Sequence, residues 1–160
     1  MNTPVKPIPE GYQSVTPYLT VDDAAAALAF YQQAFGAVET MRLLMPGGKI
    51  GHAEFTIGVS HFMISDAYPN AGSASPDKLG GTPVKLHMYL NDVDAGFAQA
   101  VSAGATPVMP PADQFWGDRM ATVIDPFGHQ WMLATHIADV DRSEFQAKMD
   151  ALLAAGGDCA

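Results

Sequence analysis

The chain has 160 residues, 48% hydrophobic and 16% charged, enough apolar mass for a packed core and too little charge for a disordered tail. Eight Lys and Arg against seventeen Asp and Glu leave a formal charge of −9, which argues against a nucleic-acid binder and suits a cationic or neutral ligand better. Apolar runs such as Ala24 to Tyr31 fall well short of the roughly 18 to 20 residues that span a bilayer, so no membrane segment is expected. Met1 to Tyr12 carries three prolines and no apolar run of signal-peptide length, which points to the cytoplasm. The single Cys159 permits no internal disulfide, and its place in a C-terminal tail argues against a catalytic thiol.

Along the chain one pattern is written twice. The first copy runs Val15 to Val21 as a strand, Asp22-Asp23 as an acidic turn, Ala24 to Phe35 as a helix and Gly36-Ala37 as its stop. The second runs Val84 to Leu90, Asn91-Asp92, Val93 to Ala103 and Gly104-Ala105. Asp or Asn accepts the free amide hydrogens of a first helical turn, and Gly takes the left-handed closing conformation. Ala24, Leu28, Tyr31 and Phe35 share one helical face, as do Val93, Phe97 and Val101; both faces are expected to pack on a sheet, with Phe97 in the core.

Three strand-like stretches follow each helix. They are Val38 to Met45, Ile50 to Ile57 and His61 to Ser65, then Thr106 to Met109, Arg119 to Ile124 and Gln130 to Thr135. Gly47-Gly48, Gly58 and Asp125-Pro-Phe-Gly128 mark turns, Pro107 to Pro111 reads as a Pro-rich loop, and residues 66 to 83 read as a linker. Beyond His136, Asp141 and Glu144 form a capping pair for a helix that presents Phe145, Met149 and Leu152 on one face, stops at Gly156-Gly157 and serves packing or dimerisation. The expectation is an α+β fold of two βαβββ modules, residues 12–68 and 82–136, in a domain spanning 1–140, with residues 141–160 as a C-terminal helix and tail.

The doubled plan, with Tyr18-Leu-Thr-Val-Asp-Asp23, Ala29-Phe-Tyr31, Phe35-Gly36 and Asp125-Pro-Phe-Gly-His129, resembles the vicinal oxygen chelate superfamily over roughly residues 12 to 136. This is the superfamily of glyoxalase I, bleomycin- and fosfomycin-resistance proteins and extradiol dioxygenases. His52-Ala-Glu54, Met63-Ile-Ser-Asp66 and Phe115-Trp-Gly-Asp-Arg119 are similar to its PhnB-like group. The resemblance implies a cupped mixed sheet with helices on the outer face, a homodimer and, in metal-dependent members, one ligand on the first and last strand of each module. Aligning Val21 with Leu90 sets the copies 69 residues apart, and the glyoxalase I pattern then puts its four ligand positions at Thr16, Met63, Lys85 and Met132. None suits zinc or nickel, because thioether is soft, Thr is weak and Lys is positively charged. Glyoxalase I activity and the usual chelated metal are therefore not expected, and neither a metal ligand nor a cofactor is assigned.

Strand alternation places Thr16, Tyr18 and Thr20 on one face, and the same parity places Lys85, His87 and Tyr89 on the cupped face with His52, Glu54, Met63, Ser65, Gln130 and Met132. Polar, aromatic and thioether groups together are what small-molecule recognition uses. Tyr18, Met63, Lys85, Tyr89 and Met132 are expected ligand contacts. Phe115, Trp116 and Arg119 join them as an aromatic pair beside a guanidinium, unless Asp118 pairs with Arg119 and the rings pack at a dimer contact. His52, Glu54 and His87 are the candidate catalytic residues, either as a displaced two-His, one-carboxylate metal site or with Glu54 orienting His52 and one histidine acting as general base. His61, His129 and His136 read as solvent-exposed or turn residues, and Phe62 and Trp131 as helix-facing core. The expected function is binding of a small aromatic or amphipathic molecule in the cup. The alternative is a metal-dependent isomerase, lyase or dioxygenase that uses the displaced site. No Gly-rich loop follows the first strand, so an adenosylmethionine-dependent methyltransferase is not supported.

Overall fold

The computed structural model describes residues 5–157, so Cys159 lies outside the described residues. Its elements are β1 Tyr18–Val21, α1 Ala24–Phe35, β2 Val38–Leu44, β3 Ile50–Ile57, β4 Ser60–Asp66, α2 Pro76–Leu79, β5 Lys85–Tyr89, α3 Val93–Ala103, β6 Thr106–Asp113, β7 Asp118–Ile124, β8 Gln130–His136 and α4 Phe145–Ala154. The βαβββ unit is thus written twice. Each copy forms its own four-stranded mixed sheet, in the orders β1-β4-β3-β2 and β5-β8-β7-β6. The first and last strands of each unit run parallel, and β1 and β5 form sheet edges.

The local chemistry read from the sequence operates as expected. Asp23 Oδ1 accepts from the Ala26 amide at 2.9 Å, and Asp92 Oδ1 from Ala95 at 3.0 Å. Gly36 and Gly104 close α1 and α3 with φ of 68° and 117°, a region other residues reach only with strain. In the parallel ladders Tyr18 lies opposite Met63 and His87 opposite Met132, so the spacing of 69 holds in the hydrogen-bonded registers.

α1 packs on the first sheet, α3 on the second, and the two helices on each other, so one core runs through both units. Tyr31 sits at its centre, with ring centroids 5.4 Å from Phe55 and 5.5 Å from Trp131. Phe62 and Trp131 are core residues as expected, whereas Phe97 is only half-buried. The buried Asp125 ties the units together: its Oδ1 accepts from the Phe127 and His129 amides, and its Oδ2 from Trp131 Nε1 and the Tyr31 hydroxyl, all at 2.8 to 2.9 Å. The Asp-Pro-Phe-Gly turn therefore closes locally and grips α1.

Two stretches differ from the expectation. β6 continues through Pro110 and Pro111, with register shifts on either side of Met109, because an edge strand has an open side on which a missing amide hydrogen costs little. The linker holds a short 3₁₀ turn at Pro69–Ala71 and then α2, which lies against the second unit's turn. Gly128 makes this approach possible, since a Cβ there would stand 2.8 Å from both Pro76 Cβ and Asp77 Oδ1. Asp141 caps a 3₁₀ turn at Arg142–Glu144 that leads into α4. Among the described residues no helix is long and apolar enough to cross a membrane.

Candidate functional site

On the first sheet Tyr18, Met63, Glu54 and Met41 form one row of register neighbours. His52 Nε2 lies 3.2 Å from Glu54 Oε1, and the Tyr18 hydroxyl lies 2.9 Å from His52 Nδ1. An ionised carboxylate only accepts, so Nε2 carries the proton and, in the neutral ring, Nδ1 accepts from Tyr18. The second Glu54 oxygen accepts from the Tyr12 hydroxyl. That bond, with help from His52, holds the Glu54 carboxyl below the usual range and raises the Tyr12 phenol. Sequence reasoning missed Tyr12, which precedes β1 in a Pro-containing segment with no strand pattern to orient it. The chain of polar groups ends at Tyr18, whose residue is 51% exposed.

On the second sheet Lys85, His87 and Tyr89 lie opposite Gln130, Met132 and Ala134. The His87 and Tyr89 rings meet edge-on at 4.8 Å. The Tyr89 hydroxyl donates to Asp118 Oδ2 at 3.0 Å, while His136 Nδ1 lies 2.7 Å from Asp118 Oδ1 and its Nε2 3.1 Å from Asp139. The two carboxylates, Asp118 first, raise the His136 imidazole.

The local pairing of Asp118 with Arg119 is not observed. Alternation along β7 sends the two side chains to opposite faces, and Arg119 reaches α3 instead. Its Nε and Nη2 bond Asp94 at 2.7 and 2.9 Å, and Nη1 bonds Asp113 at 2.7 Å. Phe115 and Trp116 pack edge-on at 4.9 Å, and Phe115 also meets Phe145 of α4 at 6.1 Å. Of the histidines read as solvent-exposed or turn residues, His129 closes the Asp125 turn and His61 stands at the start of β4. His129 is mostly buried, which pushes its imidazole down, and His61 is half-buried with its ring 4.5 Å from that of Tyr12.

Of the expected catalytic trio, the structure joins His52 to Glu54 and places His87 beside Tyr89 on the other sheet. Among the described residues no group of three His, Cys, Asp or Glu side chains is gathered for a metal ion. A cleft of about 830 Å³ opens between residues 13–17, the β3–β4 turn and β5. Half-buried Phe35, Leu86 and Met88 contribute its apolar wall, with the almost fully buried Phe62 and Trp131 also reaching it, and Lys85, His87 and Tyr89 form its exposed rim. Tyr18, His52, Glu54, Met63, Phe115, Trp116, Arg119 and Met132 lie outside the cleft lining.

This doubled fold and the order of its motifs agree with a family match: residues 12–133 match the Glyoxalase/Bleomycin resistance protein/Dioxygenase superfamily. The chain belongs to this superfamily. Its relatives include the uncharacterized protein Rv0887c of Mycobacterium tuberculosis, 46% identical over 139 residues that cover 85% of this chain and 82% of the relative. The crystal structure of TioX from Micromonospora superposes with a TM-score of 0.63 at 28% identity, covering 78% of this chain and 99% of TioX. At5g48480 of Arabidopsis thaliana gives 0.61 at 28% identity, covering 77% and 98%. The PhnB protein from Bacillus cereus, at 21% identity and a TM-score of 0.61 over 77% and 99%, shares the fold. In this superfamily member the two modules carry different polar sets on matched strands, Tyr18 with His52 and Glu54 in one and Tyr89 with Asp118 and His136 in the other.

Proposed function

We propose that this superfamily member is a cytoplasmic, homodimeric small-molecule-binding protein that holds an aromatic or amphipathic molecule beside β5, without the usual chelated metal. Its modules are taken as residues 12–68 and 82–136. The observation that carries the reading is the cleft of about 830 Å³. Ligand sites occupy about 300 to 1,000 Å³ and join apolar walls to a few polar groups, as Phe35, Leu86 and Met88 are joined here to Lys85, His87 and Tyr89. A divalent cation does not fit the donor set, because Thr16, Met63, Lys85 and Met132 supply neither imidazole nor carboxylate. The edge strands β1 and β5 support the dimer, since exposed edges invite pairing with a second chain.

A thermal-shift screen of flat aromatic compounds of either charge tests the binding reading. At least one compound raises the unfolding midpoint, and His87→Ala, a change at an exposed rim residue, removes that shift while leaving the free protein's midpoint nearly unchanged. A panel with no shift overturns the reading. Mass spectrometry after dialysis against chelator tests the metal. One Zn, Ni, Mn or Fe per chain, lost in His52→Ala, would favour an isomerase, lyase or dioxygenase instead.

The Tyr18–His52–Glu54 chain favours a second reading, proton transfer without a metal, with His52 as general base and Glu54 orienting its ring. This reading needs a ligand on the first sheet beside Tyr18, outside the cleft, and solvent-deuterium exchange into an acidic C–H bond of such a compound, abolished by His52→Gln, separates it from binding alone.

A further inference from the structure

The surface as a whole is acidic, and its field would steer cations toward it. The cleft reverses that balance. None of its lining residues is Asp or Glu, whereas Lys85, His61 and His87 all belong to its wall. Lys85 makes no ion pair among the described residues, as Lys6, Lys49 and Arg142 make none, and of these four it alone lines the cleft. An unpaired lysine in a lining without carboxylates, beside the half-buried side chains of Phe35, Leu86 and Met88, complements an acid with a flat apolar body.

We propose that the cleft selects an aromatic or amphipathic carboxylate, with the ring system against the apolar wall and the carboxylate at Lys85. The assignment rests on the small-molecule reading of the cleft and names the charge class that the site takes. An amine of the same shape meets Lys85 and no carboxylate in the lining, so local repulsion opposes the attraction of the distant surface charges, which salt screens over about 10 Å. An uncharged amide keeps the apolar contacts and forgoes the charge-assisted bond.

Isothermal titration of the full chain near neutral pH with naphthylacetate, its amide and naphthylethylammonium tests this. Naphthylacetate binds about tenfold more tightly than the amide, and the ammonium compound is weakest. Lys85→Met lowers the acetate to the amide's affinity and leaves the amide unchanged, while Lys85→Arg keeps the preference. Lys85 is exposed, so each variant folds, which an unchanged unfolding midpoint verifies. Equal or tighter binding of the amide or ammonium compound overturns the charge assignment and leaves the cleft a small-molecule site. An acetate preference that survives Lys85→Met also overturns it. Binding by none of the three overturns the cleft reading itself and this assignment with it.

Discussion

Asp125 accepts from two amides of its own turn, from Trp131 Nε1 and from the Tyr31 hydroxyl of α1, while almost fully buried. Burial, and then the neighbouring carboxylate, push the Tyr31 phenol well above its ordinary value, so it stays a donor. Asp125→Ala strands these donors and is expected to cost about 3 to 5 kcal/mol in urea unfolding, against about 1 to 2 kcal/mol for Tyr31→Phe. Two histidines set opposite pH dependences. His136 is raised above its ordinary 6.5 by Asp118 and Asp139, so its ion pairs add stability that is fully present below pH 6.5 and lost as pH rises through the raised value. His129 is lowered by burial, so below pH 6.5 the unfolded chain binds a proton that the folded ring refuses, and stability falls as pH drops toward the lowered value. Unfolding curves from about pH 5 to 8 check the signs. The deficit of His136→Gln shrinks as pH rises, and His129→Gln loses its share of the decline on the acid side.

The cost of truncating a helix or strand residue follows how far its side chain is enclosed. Phe55 on β3 is fully buried, and Phe55→Ala is expected to cost about 3 to 5 kcal/mol, whereas half-buried Phe97 of α3 costs roughly half as much. Calorimetric midpoints of the two variants test that order. Both helices were legible to the residue in the sequence, because Asp caps and Gly stops act within one turn. β6 was not, since its prolines read locally as a loop and only its place at a sheet edge makes them tolerable. The Asp118–His136 pair was hidden by a single residue at two strand ends. The pattern started β7 at Arg119 and stopped β8 at Thr135, yet Asp118 and His136 are the register pair that completes that ladder.

Net charge describes the molecule at long range and says little about a cleft from which every carboxylate is missing. The superfamily was legible from the repeat, while the meeting of His52 with Tyr18 depends on the order of strands within the first sheet and the place of His87 on the second, which strand parity does not specify. Sedimentation equilibrium at micromolar concentration is expected to give a dimer; a monomer under these conditions would leave β1 and β5 as true open edges. The matched registers, Tyr18 on Met63 and His87 on Met132, carry one more consequence. Each module hangs its polar groups from its own hydrogen-bonded sheet, so a substitution on one face leaves the ladder of the other intact. One face can therefore take on a different ligand without disturbing the fold of the other, and the two sheets already carry unlike polar sets.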